Sequence, residues 1–535
     1  MKVLQINTSD INGGAAIAAF RLHKGLNQIG AECRMLVKEK ASKADTVLCI
    51  SPENTNNTSD KAFFLNEVIQ AHYINAHRTD ISNTLFSLPY PGYDLSQLSV
   101  VQDADIINLH WVAYYQSPLT LQKLFALGKP VVWTLHDQWA FTGGCHYSAG
   151  CNKYQEDCTA CPQLANDAFE LPSSVLKDKM ELFKDADLTI VSPSRWLADC
   201  AGKSRLFRDI RIEVIPNPLD TDVFSPMNKS EAKANLNISA ESITILFGAE
   251  NNNETRKGFK HLAEAIKRCL SSDTIQELIN KNNLNILCFG YPSAELKEIG
   301  MPTVSLGYLN NTSQIRNAYA AADIFVLPSL EDNLPNTLTE SSSCGVPAVA
   351  FDVGGIPDVL THGETGLLVE AGNTRQMAEA IKSLIINHSQ RTSMGEPARK
   401  LILEKCSVKA RSNDYYSLFR ELQKGRTSFS PPHKTPDTTK NIESRSVGLH
   451  SHLNTDFGSN FKTIYDAVLF KALKEFAVMS QNKLLEVEKE NMQKNSLINE
   501  HIRILNSIRK RFLYRLSERL TNLQAKIQSI IKSIF

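Results

Sequence analysis

Ala321-Ala322-Asp323-Ile324-Phe325-Val326-Leu327 leads through Ser329-Leu330-Glu331-Asp332-Asn333-Leu334-Pro335-Asn336-Thr337 to Cys344-Gly345-Val346-Pro347-Ala348-Val349-Ala350-Phe351. An apolar run, a polar loop, a helix start and a second apolar run follow one another. Unbroken apolar runs of this length fit strands buried on both faces, the condition of parallel sheets covered by helices. Proline is tolerated in a helix's first turn, so a helix is expected to begin near Pro335. The unit reads as strand–helix–strand. Ligands of such sheets gather outside the carboxyl ends of the strands, here around Ser329 to Thr337.

The same grammar repeats in both directions. Val/Ile/Leu-rich runs begin at Val3, Cys33, Asp105, Val131, Leu188 and Ile212, and again at Ile243, Leu284, Asp323 and Val346, with helix-length amphipathic segments between many of them. This alternation predicts an α/β protein with parallel sheets. Three strands are entered through similar acidic steps, Asp103-Ala104-Asp105, Asp185-Ala186-Asp187 and Ala321-Ala322-Asp323. The Asp103-x-Asp105 triplet lies at a strand entrance, the wrong end for a ligand site, and is read as structural. Pro216-Asn217-Pro218 makes a stiff, non-helical connection and marks a domain boundary. The expected units are residues 1–217, residues 218–424, a linker over 425–460 rich in Ser, Thr, Pro and His, and a helical extension over 461–535.

Composition agrees with a globular protein of several units. The chain has 535 residues, 42% hydrophobic and 21% charged, with 58 basic against 57 acidic residues. That balance argues against a protein coated in nucleic acid. The start, Met1 to Asn7, reads as a strand rather than a signal peptide, and no run reaches the length of a membrane span. Eleven cysteines in such a chain suggest reduced thiols and a cytoplasmic setting.

Several residues are candidates for chemistry. Gly13 and Gly14 stand between the first strand and a helix, where bare backbone can approach an anion; a packing turn explains them equally well. Asp332 and Glu340 flank the helix start and suit sugar hydroxyls, but Thr337-Leu338-Thr339-Glu340 also matches a capping box. Val131 to Asp137 is a buried strand ending in His136-Asp137, and Asn108-Leu109-His110-Trp111 ends its neighbour. Cys145, Cys151, Cys158 and Cys161 are spaced C-x5-C-x6-C-x2-C. Four soft ligands suit a structural zinc, with two disulfides or free thiols as alternatives.

The run continues Asp352-Val353-Gly354-Gly355-Ile356-Pro357-Asp358, then Gly363-Glu364-Thr365-Gly366-Leu367-Leu368-Val369. This ordered set resembles the retaining glycosyltransferases of family 4, over roughly residues 1–424. The resemblance implies a B-type fold, two Rossmann-like domains facing across a cleft. It implies that Glu340 binds the nucleotide ribose and that Asp332 touches the donor sugar. The family more often has Glu at the Asp332 position, and adjacent Glu331 competes for the role. Lys257-Gly258 matches the family's diphosphate-binding pair; Asn251 stands near the place of its upstream arginine, and Arg256 is the substitute. His136 falls where the family places a histidine beside the donor sugar, with His110 and Trp111 on the acceptor side. The helix start at Asn336 and Thr337, with Gly13 and Gly14, would hold the diphosphate, so no catalytic metal is required. The implied reaction moves a sugar from a nucleoside-diphosphate sugar to an acceptor hydroxyl with retention. The Trp139 to Tyr147 stretch is similar to transferases of bacterial surface polysaccharides, whose acceptor would be a saccharide or lipid-linked oligosaccharide. A nucleotide-sugar epimerase and a non-catalytic nucleotide-sugar-binding protein are the rival readings.

The last 35 residues carry eight basic residues against one acid, so the rest of the chain is net −6. Leu505, Ile508, Phe512, Leu516, Leu520, Leu523 and Ile527 share one helical face. A basic amphipathic helix of this kind suits either an anionic membrane surface, at the inner face of a cell membrane, or self-association.

Overall fold

The computed structural model describes residues 1–50, 58–82, 84–248, 254–290, 299–424 and 452–454. The strands are β1 (Lys2–Ser9), β2 (Glu32–Glu39), β3 (Val47–Cys49), β4 (Gly92–Asp94), β5 (Ile106–Leu109), β6 (Val131–Thr134), β7 (Leu188–Ser192) and β8 (Arg211–Val214). They continue as β9 (Ile243–Gly248), β10 (Leu284–Phe289), β11 (Thr303–Ser305), β12 (Ile324–Leu327), β13 (Ala348–Phe351), β14 (Gly366–Val369) and β15 (His452–Asn454). Seven form one parallel sheet in the order β3-β2-β1-β5-β6-β7-β8, and six form a second in the order β11-β10-β9-β12-β13-β14. The chain therefore has the expected two Rossmann-like halves. In each sheet the strand order reverses once, at β1/β5 and at β9/β12, which opens a crevice at the carboxyl edge.

Burial on both faces explains the apolar runs. In β12, Ile324 and Val326 join one core of the second domain while Phe325 and Leu327 join the other. Each fully buried side chain of this size stabilises the fold by about 1.5–3 kcal/mol. The recurring acid at a strand entrance also has a physical role. Asp105 accepts a hydrogen bond from the amide of Lys2 (2.7 Å), and Asp323 accepts from the amide of Thr244 (2.9 Å). Each carboxylate holds an amide at the start of a neighbouring parallel strand. Asp323 is further held by Lys229 and the buried Lys233, at 2.9 and 2.8 Å.

Two features go beyond the sequence expectation. β15 lies within the stretch expected as a linker, yet pairs antiparallel with β4. The helix Val408–Lys424, inside the expected span of the second domain, covers the first sheet: Tyr415, Leu418 and Phe419 pack with Val3, Leu22 and Leu26. The chain thus crosses between the halves twice, and the crossings are bonded together. Leu219 N donates to Cys406 O at 2.7 Å, and Val408 N donates to Leu219 O at 2.9 Å. Among the described residues no helix is long and apolar enough to cross a membrane. The expected helical extension over 461–535 lies outside the described residues.

Candidate functional site

The carboxyl edges of the two sheets face each other across a cavity of about 1330 Å³, lined by Gly13, Gly14, Trp111, His136, Lys257 and Glu340 among others. Its first-domain wall is built from the ends of β1, β5 and β6. Beyond β6, His136 places its Nε2 3.1 Å from His110 Nδ1, with the rings stacked at 5.4 Å. His110 Nε2 lies 3.0 Å from the Gln5 amide nitrogen, while Gln5 Oε1 faces the Cys33 thiol. Gln5 therefore donates to His110, His110 donates to His136, and the remaining His136 proton sits on Nδ1. Burial lowers the pKa of His136 to about 4, with Asp137 opposing, so its ring is neutral near pH 7. His110 lies well below the usual histidine range, from burial and then from His136 beside it. His110 is buried behind His136 rather than lining the cleft, which corrects its expected place on the acceptor side. Trp111 does line the cleft, and its indole donates to Asp137 at 2.8 Å. Asp137 also accepts from His146 Nδ1 (2.6 Å) and the amide of Trp139 (2.9 Å). Burial alone would raise the Asp137 carboxyl, but His146 and these donors bring it below the usual range.

The second-domain wall turns on Gly258. It sits at φ 69°, and a Cβ there would overlap the carbonyl oxygen of Pro328, so only glycine fits. This close approach brings the Arg256–Lys257 turn against the end of β12. Lys257 Nζ reaches Asp332 at 2.8 Å. Arg256 is buried and committed: it pairs with Glu254 (3.1 Å), donates to Glu331 O (2.7 Å), approaches Asp332 (3.3 Å) and lies 4.1 Å from the Tyr147 ring centre. Burial opposes ionisation of Asp332, but Lys257 and Arg256 pull its pKa below the ordinary value. Of the two adjacent acids, Asp332 lines the cleft. Glu331 instead accepts from the amide of Ala149 at 3.2 Å, and burial pushes its pKa up to about 6.

The helix Asn336–Ser343 starts after Pro335 with no side-chain cap. Glu340 is therefore not the capping residue that its spacing allowed. Its Oε1 accepts from Arg21 at 2.6 Å and its Oε2 from Tyr319 at 2.9 Å. The two domains also meet where Asn336 Nδ2 donates to Gly14 O (2.9 Å) and Asn333 Nδ2 to His136 O (3.2 Å). Thr337 lines the cleft beside Asn336. Sequence reasoning missed Arg21, Tyr319 and Asn333. Arg21 had a signal: it lies two helical turns after Gly14, on nearly the same face.

Cys145, Cys151, Cys158 and Cys161 line one small cavity, and none of the four is in a disulfide. Among the described residues no three acidic, histidine or cysteine side chains form a group that holds an ion as they stand. Lys153 N donates to Cys151 Sγ at 3.4 Å. The loop carrying these cysteines presents Tyr147 and Ala149 to Arg256 and Glu331.

Known proteins resemble this chain in sequence and in fold. Residues 242–387 match the family described as glycosyl transferases group 1. The chain is 31% identical over 123 residues to N-acetyl-alpha-D-glucosaminyl L-malate synthase of Bacillus anthracis, covering 22% of this chain and 32% of that protein. It is 24% identical over 376 residues to WcaC of Escherichia coli, a putative colanic acid biosynthesis glycosyl transferase, covering 65% of this chain and 83% of WcaC. The chain spans about a third to three fifths of the length of the first curated relatives it matches. Among solved structures, Anabaena HepE in complex with UDP-glucose superposes with a TM-score of 0.53 at 14% identity, over 79% of this chain and all of that one. Residues 242–387 thus match the group 1 glycosyl transferases, within a chain whose two parallel-sheet halves share the fold of HepE.

Proposed function

We propose that the chain is a retaining glycosyltransferase that moves a sugar from a nucleoside-diphosphate sugar to an acceptor hydroxyl in the assembly of a bacterial surface polysaccharide. The observation that carries the reading is the uncapped helix start at Asn336. Its amides at Asn336 and Thr337 precede the first intrahelical bonds and offer an anion site on the cleft. Glu340, one turn further on, suits the ribose hydroxyls. Lys257 is the cation for the diphosphate, and it would turn from Asp332 toward the phosphate when the donor binds. Arg256 acts differently: its contacts commit it to holding the Lys257 turn.

In this reading the bond from the anomeric carbon to the leaving diphosphate breaks, and the bond to the acceptor oxygen forms on the same face. The acceptor proton passes to a diphosphate oxygen, so no protein nucleophile is assigned. Lys257 and the helix start stabilise the negative charge that develops, with no catalytic metal in the scheme. Neutral His136 donates from Nδ1 to a sugar oxygen and orients the donor. Asp332 accepts from a sugar hydroxyl. HepE was solved with UDP-glucose and WcaC is assigned to colanic acid biosynthesis; both favour a nucleotide-sugar donor and a polysaccharide product here.

Calorimetry with a panel of nucleoside diphosphates and their sugars tests the reading, followed by product analysis with the best binder. Transfer to a saccharide or lipid-linked acceptor with retained anomeric configuration is expected. An altered free sugar formed without acceptor would favour the epimerase reading, and no binding by any member would reject both. The same reading includes a structural zinc on Cys145, Cys151, Cys158 and Cys161, which requires the thiols to rotate together. Elemental analysis is expected to find one zinc per chain, and metal-free protein with four titratable thiols would reject it. It also includes a peripheral position at the inner face of the cell membrane, through the basic segment 501–535.

A further inference from the structure

We propose that Arg21 is the first domain's own contribution to the nucleotide site: it orients the Glu340 carboxylate and gives a further hydrogen bond to the bound nucleoside diphosphate. This rests on the glycosyltransferase reading of the cleft. Glu340 belongs to the second domain, and so does Tyr319, which holds its Oε2. Arg21 belongs to the helix Gly14–Gln28 of the first domain and holds Oε1 at 2.6 Å, across the cleft. The pair is largely shielded from water, with the two side chains 14% and 9% exposed. The orientation of Glu340 is therefore completed only when the two domains are together.

A second observation points to a ligand. Arg21 Nη2 is used by Glu340, and the guanidinium carbon lies 5.2 Å from the centre of the Phe224 ring. Nη1 is buried and has no acceptor among the described residues. A buried, unpaired guanidinium nitrogen is costly, and so is rarely left without a purpose. Arg21 lines the same cavity as Gly13, Gly14 and Asn336. Arg256, the other guanidinium near the cleft, is not free to help, because it is held by Glu254, Glu331 and Tyr147. A turn of the guanidinium that brings Nη1 into this cavity would let a nucleotide oxygen satisfy it, and a carboxylate with two fixed donors retains lone pairs for two ribose hydroxyls.

The role is one of positioning and binding, and the test is built to separate it from mere bracing. Full-length protein is titrated with UDP, GDP and ADP by calorimetry, as wild type, Arg21→Lys, Arg21→Ala, Glu340→Gln and the Arg21→Ala/Glu340→Gln double variant. With the diphosphate that wild type binds best, Arg21→Ala is expected to weaken binding at least tenfold. Arg21→Lys, which keeps the charge but has a single nitrogen, is expected to recover part of that loss. The double variant is expected to bind more weakly than Glu340→Gln alone, by the direct bond from Arg21, but by less than the two single losses together, because part of each acts on one carboxylate. Arg21→Lys keeps the test open should Arg21→Ala fold poorly: full wild-type affinity in either variant overturns the proposal. Strictly additive losses overturn the part played through Glu340. If wild type binds none of the three, the glycosyltransferase reading itself fails; if it binds and the Arg21 variants bind equally well, only the present inference fails.

Discussion

In the proposed reading, Glu340 is the residue on which the donor site depends most. Exchanging it for Gln is expected to weaken nucleotide binding by about 1.5–3 kcal/mol, the size of a lost hydrogen bond to a charged group. The measurement is calorimetric affinity at a temperature where both proteins are folded. Equal affinities would reduce the Arg21–Glu340 pair to an interdomain brace. His136 makes a complementary prediction. With His136→Ala, turnover is expected to drop by about 10²–10⁴ while donor affinity changes much less, since in the proposed mechanism its ring orients a reacting group rather than anchoring the nucleotide. Its titration also sets a pH response. The folded value of about 4 lies below the unfolded value of 6.5, so the unfolded chain binds more protons between them. Stability is therefore lost as pH falls from 6.5 toward 4, with His110 and buried His23 acting in the same direction. Urea midpoints across that range check this: the slope should be shallower in His136→Ala, and an unchanged slope would mean that His136 is not neutral in the fold.

At the scale of elements, the central strands β1, β5, β6, β7, β12 and β13 were legible because nearly every side chain in them is buried, leaving no alternation to confuse, whereas the short, partly exposed β3 and β11 carried no such signal. The loop from Ser329 and the helix near Pro335 were legible because proline and the acids mark them. What the sequence left open was decided by contacts between distant segments. A capping box and a cross-cleft ion pair share the spelling Thr337 to Glu340, and only Arg21, 319 residues away, separates them. His110 and His136 each end a strand, but only packing reveals that one stands behind the other. The committed state of Arg256 likewise depends on Tyr147 from the other domain. Gly258 makes a testable claim at this scale. Gly258→Ala must move either the left-handed turn or Pro328, and is expected to cost about 1–3 kcal/mol of stability. Donor affinity should fall with it because Lys257 is displaced. A urea midpoint equal to wild type would show that the turn yields freely.

For the whole molecule, charge is unevenly distributed along the chain, and its strongest basic segment is the last one. Full-length protein is expected to co-sediment with anionic liposomes at low salt, while protein ending at Lys424 stays in solution. Equal behaviour of the two, whether both bind or neither does, would exclude membrane docking through the tail. The paired crossings at Leu219 and Cys406–Val408 have a mechanical consequence. Two tethers bonded to one another cannot slide past each other without breaking those bonds, and Pro216 and Pro218 stiffen one of them. Sliding and twisting of the halves are therefore stiff modes, and rotation about the line of the crossings is the soft one. Opening the mouth then swings Arg21 away from Glu340 along an arc. Because a single axis carries the motion, the same swing brings the pair back into register at each closure.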